Sequence, residues 1–302
     1  MTKSIVSISR RKSVYSRSDV FCEAEGIYEF KEGEKMKKRM LEIMEKFHKY
    51  NTENMAYLAF GFDTSLHYDA LVVAPSFSPY KLKMDRYCKV YTLSEGAYIA
   101  GYLVEKDSHL IAWVKTASSD SNLMDHLALC AELSFDKVIF IGAVGALKSE
   151  FELGDLCTPS YSIAGGFAHT YLKDSIRDYV PFERVEPDME YIDSVVKMAK
   201  ESGYELKKGS VFCTPSISTE YFHLEEIKEF DTDLIEMETA VFYRLADLIE
   251  KPAVALLVVS DNSASGVALV GRTDEEQEKY DYGRNVVLPD MILKVAFQRE
   301  NN

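Results

Sequence analysis

The chain lacks several features that define whole classes of protein. Its five cysteines are scattered and odd in number, with no Cys-x-x-Cys pair, which argues against a disulfide framework and against a zinc site. The histidines show no metal-binding spacing such as His-x-x-x-His. No apolar run approaches the length of a membrane span, and residues 1–15 contain no apolar core of a signal peptide. We therefore expect a soluble, cytoplasmic protein with no metal and no membrane partner.

Basic residues are too few for a general polyanion-binding surface. The chain has 35 Lys and Arg residues against 49 Asp and Glu residues, for a formal net charge of −14. Phosphate backbones and anionic lipids require clustered positive charge, so nucleic acid is not an expected partner. One small anionic ligand in a local pocket is compatible with this charge. With 302 residues, of which 47% are hydrophobic, the chain can bury a large core.

Apolar runs of strand length alternate along the chain with segments of helical periodicity. Buried strands are predicted at residues 70–75, 137–147 and 253–259, and helices at residues 123–133 and 187–203. This alternation is typical of α/β proteins in which helices cover both faces of a sheet. We expect a three-layer α/β/α sandwich with a mixed central sheet.

The domain organisation is predicted from a change in sequence texture near residue 66. Residues 1–65 are interpreted as an N-terminal extension with one amphipathic helix at residues 34–50, and residues 66–302 as the main domain. The apolar stripe of that helix is rich in Met, which favours packing in a core or subunit contact over a chemical role.

Residues 234–261 contain the strongest candidates for chemistry. Helical periodicity after Glu236 and Glu238 predicts a mostly buried helix, and the apolar run at residues 253–259 ends just before Asp261. Ligands of open α/β sheets bind beyond the carboxyl ends of the strands, so Asp261 is a candidate site residue. The alternative for the two glutamates is that they favour a helix N-terminus and face water, and for Asp261 that it begins a turn.

Gly142 and Ala143 lie where a predicted strand runs into a turn of small residues. Such a turn can bring backbone N–H groups to an anion or to a sugar oxygen. Glycines also end strands for purely steric reasons, so this signal is weak by itself.

These segments resemble the nucleoside phosphorylase/nucleosidase superfamily over residues 68–298. Members of this family cleave the N-glycosidic bond of a nucleoside or nucleotide, and the resemblance implies the same fold and activity here. The Met-Glu-Thr-Ala and Leu-Val-Val-Ser-Asp sequences look closest to the AMP nucleosidase and purine nucleoside phosphorylase branches. The matching motifs, in order, are Gly142-Ala143-Val144-Gly145-Ala146-Leu147, Gly154-Asp155, Gly209-Ser210-Val211-Phe212, Glu236-Met237-Glu238-Thr239-Ala240 and Val259-Ser260-Asp261.

The resemblance also implies roles for individual residues. Glu238 would hold the ribose hydroxyls, Met237 would pack under the sugar, and Phe212 would lie against the base. Asp261 would act as an acid on the purine N7, with Arg284 as its partner, and these two form the implied catalytic pair. The implied substrate-binding residues are Phe212, Glu236, Met237, Glu238, Gly142, Ala143 and Ser260.

The segments that bind phosphate in phosphorylases of this family are poorly matched. The early loop is residues 75–81 here, the position of the second arginine is Phe140, and the serine of the glycine turn is Ala143. Lys81 and Lys115 could replace part of the positive charge, but a lysine lacks the bidentate grip of arginine on phosphate. We therefore favour hydrolysis. Phosphorolysis, and nucleoside binding without turnover, stay open as alternatives.

The partners that the resemblance implies are small molecules and further copies of the chain. A purine nucleoside or nucleotide is the implied substrate, no cofactor is expected, and inorganic phosphate would be a co-substrate only in a phosphorylase. A homo-oligomer is implied, since family members usually complete their sites across a subunit contact. His169 is a further candidate to line the pocket.

Overall fold

A ten-stranded mixed sheet organises the residues that the computed structural model describes, which are 37–51 and 54–298. A separate parallel pair is formed by β1 and β6. The strands are β1 His67–Tyr68, β2 Ala70–Pro75, β3 Lys89–Ser94, β4 Ala100–Lys106, β5 His109–Thr116, β6 Ser134–Phe135, β7 Val138–Ala146, β8 Leu156–Ala164, β9 Arg184–Val185, β10 Leu206–Cys213, β11 Leu234–Glu236 and β12 Ala253–Asn262. The helices are α1 Lys38–His48, α2 Met55–Phe60, α3 Asp120–Leu129, α4 Met189–Glu201, α5 Ile217–Glu220, α6 Leu224–Lys228, α7 Thr239–Ile249, α8 Asp274–Tyr282 and α9 Leu288–Phe297.

Part of the sheet closes on itself. The strand order is β11-β10-β8-β12-β7-β2-β5-β4-β3, with β9 beside β8, and β11 pairs with β7 as well as with β10. Strand β12 runs parallel to β7 and antiparallel to β8, so the sheet is mixed, as predicted. The ring that results holds β7, β11 and β12 next to one another.

Helices cover both faces of this sheet. In β2, Leu71 and Val73 point into one apolar cluster, while Ala70 and Val72 point into another. The first cluster includes side chains of α3 and α7, and the second includes side chains of α4 and α9. The predicted three-layer α/β/α architecture is therefore confirmed.

Helix α1 packs on the same core as α3 and α7. It spans Lys38–His48, within the helix predicted at residues 34–50, and its Met40 and Met44 are buried in the first apolar cluster. Met packing in a core is therefore the role of these two residues. Most of the predicted extension at residues 1–65 lies outside the described residues, so the boundary near residue 66 stays a prediction.

Two segments differ from the expected structure. Residues 142–147 do not form a turn, because β7 continues to Ala146 with β12 paired on one edge and β11 on the other. Leu234–Glu236 is a strand, although the sequence suggested only the approach to a helix. Three residues are too few to show the alternation that predicts a strand. Both differences place small or acidic residues on adjacent strands.

Replacement of Phe140 tests how much the packing of β7 contributes to the stability of the core. Its side chain is 1% exposed and its ring centre lies 5.4 Å from that of Phe242 in α7. We expect Phe140→Ala to lower the free energy of unfolding by about 3–5 kcal/mol, because it removes contacts and leaves a cavity. Urea denaturation measures this. Phe222→Ala, at an 87% exposed position, is the control, with an expected change below about 0.5 kcal/mol. Equal losses in the two variants would contradict the prediction.

Candidate active site

A cavity of about 270 Å³, here called the main cavity, lies where β7, β11 and β12 meet. Gly145 of β7 pairs with Ile235 of β11 and with Asp261 of β12. The predicted site residues that line this cavity are Gly142, Ala143, Glu236, Met237, Glu238, Ser260 and Asp261. The fold therefore brings together seven of the nine residues selected from the sequence, and it leaves Phe212 and Arg284 outside.

Asp261 lies near the end of β12 with its carboxyl in the main cavity. The Ser260 hydroxyl donates a hydrogen bond to its Oδ1 at 2.7 Å. Burial raises the pKa of the Asp261 carboxyl above its usual range, although the Ser260 hydrogen bond and the positive charge of Arg272 act in the opposite direction. A Cβ atom at Gly145 would lie 2.9 Å from Oδ2, so glycine leaves room for this carboxyl. A carboxyl with a raised pKa is suited to hold a proton and donate it to a ligand.

Glu236 is buried and caps the first turn of α7 from inside the protein. Its carboxylate accepts hydrogen bonds from the backbone N–H groups of Glu238 at 2.7 Å and Thr239 at 3.1 Å. It also accepts from the Thr239 hydroxyl at 2.8 Å and from the Cys213 thiol at 2.9 Å. The alternative of a water-facing acid is wrong for this residue. Since protein donors occupy its oxygens, Glu236 fixes the backbone that carries Glu238, and its direct contact with substrate stays a prediction.

Glu238 presents a carboxyl whose polar atoms are not all satisfied by the protein. It is buried, and within the described part of the chain its Oε1 atom has no hydrogen-bond partner. Burial, followed by the nearby charge of Glu236, holds the pKa of the Glu238 carboxyl well above its usual range. Buried polar atoms in native proteins are almost always hydrogen-bonded. An unpaired oxygen in a cavity wall therefore indicates a place for a ligand that donates hydrogen bonds.

Phe212 lines a second cavity of about 280 Å³, here called the aromatic cavity. Its ring centre lies 6.1 Å from that of Phe182 and 5.2 Å from that of Phe230. The two cavities share Thr214 and Glu220 in their walls. Phe212 therefore meets a ligand of the main cavity only where that ligand extends past this shared wall.

Arg284 does not pair with Asp261, contrary to the prediction. It lies in a π-helical segment, Gly283–Val287, between α8 and α9. Its guanidinium donates hydrogen bonds to Asp281 of α8 at 2.7 Å and to the adjacent Asn285 at 3.0 Å, so both partners lie within three residues of it in the chain. These local bonds hold the side chain away from the end of β12.

Arg272 takes the place beside Asp261 that was predicted for Arg284. It lines the main cavity, and its Nε donates a hydrogen bond to the Ser260 carbonyl at 3.2 Å. Its guanidinium also lies 4.2 Å from the ring centre of Tyr280. Arg272 stands in a polar segment without periodicity, and the family spacing pointed to Arg284, so the sequence carried no signal for its position.

Lys81 brings a positive charge to the main cavity. Its Nζ donates to the Ser76 carbonyl at 3.2 Å and lies 4.6 Å from the ring centre of Phe77. Burial lowers the pKa of the Lys81 ammonium, and the charges of Arg284 and Lys115 lower it further. No carboxylate pairs with Lys81 among residues 37–51 and 54–298. An anion in the cavity could therefore pair with it, whereas Lys115 does not line the cavity.

Two further side chains of the main cavity, Glu220 and Tyr221, were not selected from the sequence. They follow a polar stretch at residues 214–219 that has no periodic pattern. The expectation that His169 lines the pocket is wrong, because its ring is buried outside the cavity with Nε2 3.3 Å from Glu183.

A sequence model of the family described as "Phosphorylase superfamily" matches residues 113–285, more than half of the chain. Among curated proteins, the DeoD-type purine nucleoside phosphorylase of Anoxybacillus flavithermus is 26% identical over 129 residues, which are 43% of this chain and 53% of that protein. The protein of the same name from Mycoplasma genitalium is 30% identical over 139 residues, with 44% and 56% covered. The chain thus spans about half the length of these curated relatives.

Solved structures share the fold at lower sequence identity. A purine nucleoside phosphorylase from Toxoplasma gondii, in complex with immucillin-H, aligns with a TM-score of 0.61 and 16% identity, covering 78% of this chain and 92% of that chain. A 5′-methylthioadenosine/S-adenosyl homocysteine nucleosidase from Campylobacter jejuni aligns with a TM-score of 0.58 and 17% identity, covering 75% and 97%.

Proposed function

We propose that this chain, which belongs to the phosphorylase superfamily, cleaves the N-ribosidic bond of a purine nucleoside or nucleotide. The match to the family model confirms the family predicted from the motifs. The proposed activity is the one for which the relatives of this chain are named. One observation carries the proposal. The main cavity combines an acid with a raised pKa, Asp261, and a buried carboxyl, Glu238, one oxygen of which has no hydrogen-bond partner among the described residues.

The chemistry of the reaction suits these two groups. When the bond between ribose and base breaks, its electron pair moves to the purine, while positive charge develops on the sugar. Asp261 would donate its proton to N7 and thereby neutralise the leaving base. Glu238 would accept hydrogen bonds from the ribose hydroxyls through its Oε1 atom and would thereby hold the sugar in position while the bond breaks.

Arg272, rather than Arg284, would support the acid. Its positive charge already lowers the pKa of Asp261, so it favours the carboxylate that remains after proton transfer. Its hydrogen bond to the Ser260 carbonyl fixes the guanidinium against the end of β12.

We propose water as the attacking group. The position of the second phosphorylase arginine is Phe140, whose ring is buried in the core, and Ala143 offers no hydroxyl to the cavity. Phosphorolysis stays the second candidate because of one observation, the ammonium of Lys81 in the cavity wall, which has no carboxylate partner among the residues that the structure describes. A single lysine binds phosphate as a point charge, without the fork geometry of arginine.

Base release from adenosine, inosine, guanosine, methylthioadenosine and AMP, with and without inorganic phosphate, tests the proposal. Release without phosphate supports the hydrolase, and strict dependence on phosphate supports the phosphorylase. Binding of these nucleosides without any release would favour a non-catalytic binding protein.

Lys81→Met separates the two nucleophiles further. If water attacks, we expect the variant to keep kcat within about threefold, because Lys81 then holds no reacting group. If phosphate attacks, its KM should rise by about tenfold or more, since one charge-assisted contact is lost. Initial rates across a phosphate series measure both. Lys89→Met, which removes an exposed lysine paired with Glu105, is the control.

The remaining predictions concern partners. We propose that no cofactor takes part in the reaction. We also propose that the chain forms a homo-oligomer, and sedimentation velocity tests this second proposal. Within the described residues, no group of three or more His, Cys, Asp or Glu side chains could hold a metal ion. Among the helices of residues 37–51 and 54–298, none has both the length and the apolar character to cross a membrane.

A further inference from the structure

Glu220 occupies the wall between the two cavities. It is the last residue of α5 and lines both the main cavity, with Asp261 and Glu238, and the aromatic cavity, with Phe212. The residue is partly buried, and within the described residues its carboxyl forms no hydrogen bond or ion pair. A carboxyl that is withdrawn from water and unpaired at a junction is free to contact a ligand that passes from one cavity to the other.

The geometry of a purine determines what would meet this carboxyl. N7 and the substituent on C6 lie side by side on the same edge of the base, on the side remote from the sugar bond. If N7 meets Asp261 and the six-membered ring is directed toward the aromatic cavity, the C6 substituent is the group on that edge that lies nearest the shared wall. We propose that Glu220 contacts the exocyclic group at C6 and thereby selects between 6-amino and 6-oxo purines. This inference rests on the proposed function, because it needs a purine seated against Asp261.

The protonation state of Glu220 sets the direction of this selection. Burial raises its pKa to about 7, with the negative charge of Asp261 as the second cause. Above that pH the carboxylate accepts a hydrogen bond from a 6-amino group but faces the lone pairs of a 6-oxo group. Below that pH the carboxylic acid can donate to the 6-oxo oxygen. Preference for adenosine over inosine should therefore increase as the pH rises through neutrality.

Other charges near Glu220 do not produce the same pattern. Proton donation by Asp261 to N7 is common to both substrates, so its titration cancels in the ratio of their kcat/KM values. Lysine and arginine keep their charge near neutral pH, whereas a histidine changes charge there and needs a control. The charged or titratable side chains that share a cavity wall with Glu220 are Asp261, Glu236, Glu238, Arg272, Lys81, Tyr221 and Tyr280 in the main cavity, and His223 and Glu226 in the aromatic cavity.

The test is the ratio of kcat/KM for adenosine to that for inosine, measured from about pH 6 to about pH 8. In the unmodified protein we expect the ratio to rise by about tenfold or more, since two facing acceptors are strongly unfavourable. Glu220→Gln has a neutral amide that can donate or accept, so its ratio should stay constant within about twofold. Equilibrium binding of free adenine and hypoxanthine should show the same trends without turnover.

Two control variants keep the interpretation specific. Glu225→Gln removes an exposed acid that pairs with Lys228 and lines neither cavity, and it should retain the rise. His223→Gln removes the histidine of the aromatic cavity and should also retain it. A flat ratio in a protein that releases purine, or a rise that persists in Glu220→Gln, overturns only the role of Glu220. Absence of release from both nucleosides overturns the proposed function, and the role of Glu220 with it.

Discussion

Asp261→Asn is expected to lower kcat for purine release by about 10²- to 10⁴-fold, the range by which general acids accelerate reactions. The amide has nearly the shape of the carboxyl and can keep the Ser260 hydrogen bond, so the fold should be unchanged. It cannot give up a proton to N7, and the base must then leave with its negative charge uncompensated. Steady-state rates of base release measure the loss.

The pH dependence gives this prediction a second, independent readout. Asp261 must be protonated to act, so kcat/KM should fall as the pH rises through its pKa, which burial raises above the usual range. That decline should be absent from the residual activity of Asp261→Asn. Asp193→Asn, which removes an exposed acid paired with Lys208, is the control and should behave like the unmodified protein. A variant at position 261 with more than about a third of the normal rate would remove Asp261 from the mechanism.

Local sequence signals are sufficient to predict the layers of this fold. The apolar run at residues 253–259 is entirely buried in β12, and nine of the eleven residues of α7 are buried. Both signals report burial directly, because a continuous run requires cover on two faces and a helical stripe requires cover on one. The rule that ligands meet the ends of strands then selects Asp261 without further information.

Contacts between distant side chains are not predictable in the same way. Arg272 and Arg284 both follow Asp261 in sequence, and which one reaches the cavity depends on the path of the chain after β12. Both guanidiniums lie over the ring of Tyr280, but only Arg272 lines the main cavity. Glu220 was missed for the same reason, since only the closed sheet shows that it separates two cavities.

For Glu236, the rule that acids near a helix N-terminus face water predicts the wrong environment. Acids at helix N-termini are usually solvated, and the sequence of α7 offers no contrary evidence. Besides the local donors of Glu238 and Thr239, the buried carboxylate accepts from the Cys213 thiol of β10, which lies 23 positions away in the chain. Pairing of β10 with β11 creates this contact, and β11 is itself too short to predict.

Glu238→Ala is expected to reduce kcat/KM for a ribonucleoside by about 10- to 100-fold, because it removes hydrogen bonds to two ribose hydroxyls that contribute about 0.5–1.5 kcal/mol each. The loss should depend on the sugar hydroxyls. The unmodified protein should cleave 2′-deoxy and 3′-deoxy nucleosides more slowly than the ribonucleoside, and Glu238→Ala should discriminate much less. Specificity constants for the three sugars, combined as a double-mutant cycle, measure this coupling.

The Glu238 carboxyl should destabilise the folded state at neutral pH. This effect on stability distinguishes a role in substrate binding from a structural role. Its pKa is raised well above the unfolded value by burial and by Glu236, so the folded state binds more protons and loses stability as the pH rises above the unfolded pKa. Glu238→Gln, which cannot ionise, should therefore be more stable than the unmodified protein at neutral pH, with the difference vanishing in acid. Urea denaturation across pH measures it, and Glu225→Gln is the control for an exposed acid. If Glu238→Gln were less stable at neutral pH and Glu238→Ala still discriminated between the sugars, Glu238 would be a structural residue, and the ribose would have to be held by another group of the main cavity.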